Sequence, residues 1–279
     1  MKLDVMLTWY ATIPAINSHG KAVTCPACMC TEEALGYPAM QVGPEIMALG
    51  VIWYIVFLFS TVCHEGAHAL AAKLGGDPTA FHGGQVSLNP FPHLQREPFG
   101  LFLVPILSFA LNKGTWMIGW ASAPYDPVWA EQHPRRAAVM ALAGPAANFT
   151  LMFLAAVGIR VGVSLGYFRA PEEATFTRIT EATNPETMGF AATFLSIFFL
   201  LNLVLGTFNL IPAPPLDGNS AITLLMSRRA ALRFMDWSHN SGLGLAGLIL
   251  AWLVYGRVFR FVFPIALNLL YPGARYGYG

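Results

Sequence analysis

The chain has 279 residues, 55% of them hydrophobic and 11% charged, with sixteen basic side chains against fifteen acidic ones. Soluble domains carry about 25% charged residues, so this balance excludes an ordinary water-soluble globule, and it equally excludes disorder, which needs low hydrophobicity and high charge. A net charge of +1 offers no polyanion-binding surface, so no nucleic-acid partner is expected, and four cysteines are too few for a disulfide scaffold.

The apolar residues are gathered into uncharged runs, and a membrane helix needs roughly 20 such residues. Residues 5–18 do not read as a cleavable signal, because no clear basic region precedes them and Pro14 interrupts them. Residues 46–63 form an 18-residue uncharged run directly after Glu45. Residues 99–112 number only 14, contain Pro105 and stop at Lys113, which is re-entrant rather than spanning length. Residues 137–159 and 187–216 give runs of 23 and 30. Towards the end, runs of 16 and 14 residues, 241–256 and 261–274, are split by Arg257 and Arg260, so they make either one long broken helix or two short ones. These elements predict an all-α polytopic membrane protein: a helical bundle of about 4–6 transmembrane segments with one re-entrant segment and a short strand-like membrane-associated loop. The alternating Gln85-Val86-Ser87-Leu88 is the candidate for that loop.

The chemistry begins where the first run ends. Residues 64–68 read His-Glu-Gly-Ala-His. Positions i and i+4 share a helix face, so His64 and His68 can offer two imidazole nitrogens to one Zn²⁺ ion. Glu65, beside the first of them, can take a proton from the attacking water without ligating the metal. Ionisable residues at membrane depth are costly unless paired and mark functional sites by default; the competing reading is a helix end solvated at the aqueous interface. A zinc hydrolase needs a third protein ligand, and Asp217 stands out because it ends the 30-residue run just after Pro212, Pro214 and Pro215. The prolines stop the helix, and such irregular backbone either lines a protein cavity at membrane depth or forms a loop just outside it.

His64-Glu65-Gly66-Ala67-His68 together with Asn209-Leu210-Ile211-Pro212-Ala213-Pro214-Pro215-Leu216-Asp217-Gly218 resembles the site-2 protease family of intramembrane zinc metalloproteases. Gly144-Pro145-Ala146-Ala147-Asn148, between them, is similar to that family's Gly-Pro-x-x-Asn segment. Residues 84–93 and Gly119-Trp120-Ala121 resemble its short bacterial branch without a PDZ domain. The resemblance implies one zinc ion held by His64, His68 and Asp217, with Glu65 as catalytic base. Asn148 and Asn209 are candidates for contacting the substrate or the oxyanion, the alternative for Asn148 being an interhelical hydrogen bond. The implied partner is a single-pass membrane protein whose transmembrane helix is cut within the bilayer, and the implied location is the bacterial inner membrane. On this basis residues 1–43 are an N-terminal extension, 44–226 the metalloprotease core and 227–279 the C-terminal transmembrane segment or segments and tail. A catalytically silent scaffold of the same fold and a metal transporter are the alternatives; retention of Glu65 with all three ligand types argues against the first, and the near absence of other polar residues in the runs against the second.

The remaining polar residues invite plainer readings. Cys25, Cys28 and Cys30 resemble half a zinc knuckle without its second pair, so thiols or a disulfide are expected there. Cys63 reads as a small core residue, and His82, His93, His133 and His239 as surface or interfacial histidines. One zinc ion also fixes topology: His64 and Asp217 must reach the same depth, which requires the 99–112 segment to dip in and return, so that Arg96 and Lys113 emerge on one side. Counting charges on that basis gives eight basic residues on the ligand side against five on the other, which places the zinc site towards the cytoplasm.

Overall fold

The computed structural model describes the backbone of residues 16–17 and all of residues 43–277; the Cys25, Cys28 and Cys30 cluster lies outside the described residues. In chain order, α1 (Pro44–Leu74) is followed by the short α2 (Thr79–His82) and α3 (Pro90–Arg96), then α4 (Phe99–Leu111), whose first five residues are a π-helical turn. After an extended stretch come α5 (Pro127–Gln132), α6 (Pro134–Ser164), α7 (Pro185–Asn209), α8 (Asp217–Ala221) with a 3₁₀ turn to Leu225, α9 (Arg228–Asn240) and α10 (Gly244–Leu270). Among the described residues, α1, α6, α7 and α10 are long and apolar enough to cross a bilayer, so the chain is an all-α, multi-pass integral membrane protein.

Each span buries one stripe and leaves the rest of its surface apolar for lipid. On α1 the buried positions Trp53, Val56, Phe57, Ser60, Thr61, His64, Glu65, His68 and Ala72 recur every three or four residues, the spacing of one helix face. The two motif histidines therefore continue a core-facing stripe, and α1 runs on past them to Leu74; the solvated-helix-end reading is wrong. The C-terminal runs form one continuous helix. Ala251, Tyr255, Phe259, Phe263 and Leu267 face inward at four-residue spacing, while Arg257 and Arg260 sit on the exposed face, where long side chains can reach towards the interface. The Tyr255 hydroxyl lies 2.8 Å from Thr207 Oγ1 and 3.3 Å from the Val204 carbonyl, tying α10 to α7.

α1 and α7 run towards the end where His64 and Asp217 meet, and α6 and α10 run away from it. At the far end Arg160 donates to the Leu270 carbonyl, and the Tyr271 hydroxyl donates to the Ile179 carbonyl. Two antiparallel two-residue ladders lie there as well: β1 (Ile16–Asn17) with β3 (Glu173–Ala174), and β2 (Phe168–Arg169) with β4 (Glu181–Ala182).

The α3–α4 pair is bent by 112°, and the re-entrant segment has a different shape from the expected helical dip. α4 descends only as far as a turn at Lys113 and Gly114, both with positive φ, which packs against Ile46 at the start of α1. The chain then returns as extended backbone: Ile118 N–H donates to Ser108 Oγ, and Trp120 N–H donates to the Gly100 carbonyl. Arg96 and Ser122 are joined side by side at the metal end by a 3.2 Å hydrogen bond. The segment does enter and return, but Lys113 sits at its tip and not beside Arg96. A helical run of 14 residues cannot descend and climb back; the climb needed the polar-punctuated residues 115–122.

Gln85–Leu88, the candidate strand, forms bends with no ladder partner among the described residues. The Ser87 carbonyl is engaged by His93 Nε2 at 3.2 Å. His93, expected at the surface, is buried.

Candidate metal centre

His64 and His68 come from the second half of α1, and Asp217 opens α8 after the proline-rich break that ends α7. The three side chains converge as a candidate metal-binding group. His64 Nε2 is 3.1 Å from Asp217 Oδ2, His68 Nε2 is 3.2 Å from Asp217 Oδ1, and the two Nε2 atoms are 3.0 Å apart.

The network behind them settles which atoms carry protons. The Phe198 carbonyl can only accept, so Asn202 presents its amide Nδ2 to it at 2.8 Å, and to Ser60 Oγ at 2.9 Å. Asn202 Oδ1 then accepts from Asn148 Nδ2 at 2.9 Å, which leaves Asn148 Oδ1 facing His64 Nδ1 at 2.5 Å. His64 must donate from Nδ1, so as a neutral imidazole it presents a lone pair at Nε2. His68 reaches the same state through the Met140 carbonyl, 2.7 Å from its Nδ1. In these neutral tautomers two imidazole lone pairs and a carboxylate point into one small volume. Asp217 Oδ2 is correspondingly a buried oxygen without a hydrogen-bond donor. Such a donor set suits a metal cation. Donors at 2.0–2.1 Å around a tetrahedral zinc would be separated by roughly 3.3 Å, close to the separations found, so the residues fit a zinc ion. α6 makes room for it: a Cβ at Gly144 would collide with His68 Nε2 and approach His64 Nε2 to 2.6 Å.

Glu65 lies against the same space. With His68 and Asp217 it lines a cavity of about 240 Å³, walled by Ala121–Ala123, Tyr125, Met140, Ala141 and Leu216. Pro145 has no N–H, so the Ala141 carbonyl loses its helical partner at this wall. Burial pushes the Tyr125 phenol above its ordinary range, keeping it a neutral donor. Ser122 is held at the rim by the Glu97 carboxylate, which accepts from its hydroxyl at 2.6 Å, while Arg96 and Gln85 donate to its carbonyl.

Of the residues expected at the site, His64, Glu65, His68 and Asp217 are brought together. Asn148 is adjacent but does different work from the expected contact with substrate or oxyanion: it is fully buried, and both ends of its amide are taken up by His64 and Asn202. Asn209 donates from its side-chain amide to the Leu205 carbonyl of its own helix and is not among the residues that line this cavity. Asn202 and Ser60 were not foreseen, although an asparagine inside a 30-residue uncharged run is itself a signal.

Residues 52–253, spanning the whole of this geometry, match the family described as Peptidase family M50. The chain belongs to that family, the site-2 protease family of metalloproteases. Two relatives agree. It is 35% identical over 166 residues to "Putative zinc metalloprotease YwhC" of Bacillus subtilis (strain 168), covering 59% of this chain and 64% of that protein. It is 29% identical over 197 residues to "Putative zinc metalloprotease Rip2" of Mycolicibacterium smegmatis, covering 68% of this chain and 63% of that protein. The chain thus covers a little under two thirds of the length of these relatives. No solved structure matches it significantly.

Proposed function

We propose that this protein is an intramembrane zinc metalloendopeptidase that cuts a transmembrane helix of a single-pass membrane protein. The observation that carries this reading is the buried Glu65 carboxylate, which shares a cavity with His68 and Asp217 part-way along a membrane-spanning helix.

Zinc held by His64, His68 and Asp217 supplies Lewis acidity, lowering the pKa of water towards about 7 and polarising a carbonyl. Glu65 accepts the proton from the attacking water and returns it to the leaving amine; a base so placed is worth about 10²–10⁴ in rate. Asn148 and the Met140 carbonyl hold the two imidazoles in the tautomers that leave Nε2 free. A helical substrate hides its carbonyls in its own hydrogen bonds, so it must unwind locally before attack. The extended Ala121–Ala123 backbone at the cavity wall offers unwound chain a surface to pair with.

We place the site on the cytoplasmic side of a bacterial inner membrane. Lys73, Arg96, Arg135, Arg136, Arg228, Arg229 and Arg233 flank the metal end, against Lys113, Arg160, Arg169, Arg178 and Arg275 at or towards the other, with Arg257 and Arg260 near the middle of α10. Lys2 and Lys21 lie more than 20 residues before α1 and carry little weight in orientation.

The test is substrate trapping. Glu65→Gln protein, crosslinked in its native membrane, is expected to retain a single-pass protein that wild-type protein cleaves within its span. Retention of partners that wild-type protein leaves intact would overturn the reading.

A further inference from the structure

Across Thr223 from the metal cavity lies a second concavity, of about 300 Å³. Arg135 and Arg136 line it from the first turn of α6, Arg228 from the first turn of α9, and His133 from the residue before α6. No carboxylate lines it. Among the described residues Arg135 and Arg228 form no ion pair, and Arg136 donates from Nη1 to the Gly75 carbonyl. Three arginines therefore border one hollow that no carboxylate lines.

The surroundings say what kind of anion belongs there. The uncharged part of α6 begins at Ala137, so Arg135 and Arg136 stand where the hydrocarbon layer gives way to headgroups. Val139, one turn along α6 from Arg135, is exposed, as are Leu225 beside the hollow and Trp237 on α9. α9 itself is amphipathic, with Arg228, Arg229 and Arg233 exposed and Ala231 buried. Its Ala231 and Met235 side turns to the protein, and the exposed side carries Arg229 and Arg233 with Trp237, a residue type at home among lipid headgroups. Free inorganic phosphate would explain the arginines but not the apolar side chains around them.

We propose that this hollow binds the phosphodiester headgroup of an anionic phospholipid from the leaflet on the metal side, with its acyl chains along Val139. Guanidinium forks match phosphate oxygens in pairs, and the headgroup bridges the starts of α6 and α9. That bridge bears on the metal centre. Arg228 follows Asp217 by only eleven positions, and α9 also supplies Met235 to the cavity lining. The lipid pins to α6 the segment that carries the third ligand. The binding event itself does not depend on the protein being a protease.

The experiment uses purified, zinc-loaded protein in a neutral detergent, titrated separately with phosphatidylglycerol, phosphatidylcholine and inorganic phosphate. Lipid retention is followed by native mass spectrometry, and stability by thermal unfolding. Wild-type protein is expected to retain phosphatidylglycerol at least tenfold more strongly than phosphatidylcholine and to melt higher with it. Arg135→Gln/Arg228→Gln is expected to lose that preference, and Arg169→Gln/Arg178→Gln, at the opposite end, to keep it. Should the first pair fail to fold, Arg135→Lys/Arg228→Lys keeps the charge, lacks the forks and is expected to weaken phosphatidylglycerol at least threefold. Equal retention of the two lipids, an undiminished preference in the Arg135/Arg228 variants, or saturation by inorganic phosphate with no lipid preference would each overturn the proposal.

Discussion

Asn148 Oδ1 lies 2.5 Å from His64 Nδ1, and this bond carries the proton assignment of the first of the three candidate ligands. It is the last link of a relay from the Phe198 carbonyl through Asn202, with both asparagine side chains fully buried. Partners of this kind are worth about 10–100-fold in metal affinity. Asn148→Ala should weaken zinc binding by that order in a competition assay against a chelator. Asn148→Asp, which keeps the accepting oxygen, should hold zinc better than the alanine variant. A group that donated to the oxyanion would behave otherwise, leaving zinc affinity untouched in both variants while cleavage collapsed.

Glu65 and Asp217 should separate cleanly. Glu65→Gln is expected to bind one zinc per chain and lose about 10²–10⁴ in cleavage rate, because the residue moves protons and does not ligate. Asp217→Ala leaves two imidazoles to hold the ion and should lose zinc and cleavage together. Zinc content by elemental analysis, paired with a cleavage assay on the substrate recovered by trapping, reads both. Full zinc occupancy in Asp217→Ala would remove it from the ligand set.

Gly144 is set by contact, not by helix propensity. A methyl group there occupies the space between the two Nε2 atoms, so Gly144→Ala should abolish zinc binding even though alanine favours a helix by about 1 kcal/mol over glycine. Circular dichroism should show helix content unchanged while the metal is gone. Wild-type zinc content in this variant would mean that α6 does not approach the histidines this closely.

Much of this was legible because two strong signals coincide. Uncharged length fixes the spans, and the ligand types stand at helical spacing in His64 and His68 with Asp217 after a proline break. What escaped has no periodic signature. Residues 115–122 cross back as extended chain packed in protein, and their hydrogen bonds to Ser108 and Gly100 are long-range, so neither apolar length nor alternation announces them. His93 is buried, its Nε2 meeting the Ser87 carbonyl across a bend between them, and no apolar periodicity announces that. Asn148 was visible in its motif, but its role depends on Asn202, 54 positions away.

The shape of the re-entrant segment gives the last prediction. Ile46 lies 18 residues before His64 on one helix, about 27 Å at 1.5 Å per residue, close to the roughly 30 Å of a hydrocarbon core. The Lys113–Gly114 turn packs against Ile46, so the hairpin reaches almost to the face opposite the metal centre, while Arg96 and Ser122 stay at the metal end. Single cysteines at positions 96, 113, 178 and 229, in a variant whose native cysteines are removed, should therefore fall into two groups. With the zinc site facing the cytoplasm, positions 96 and 229 are shielded from an impermeant thiol reagent in intact cells and label after permeabilisation. Position 178, in the loop between α6 and α7, labels in intact cells, and position 113 follows it. Position 113 labelling only together with 96 would restore a shallow dip, in which the turn never leaves the metal side. Reversal of both groups at once would keep the hairpin and turn the molecule over in the membrane.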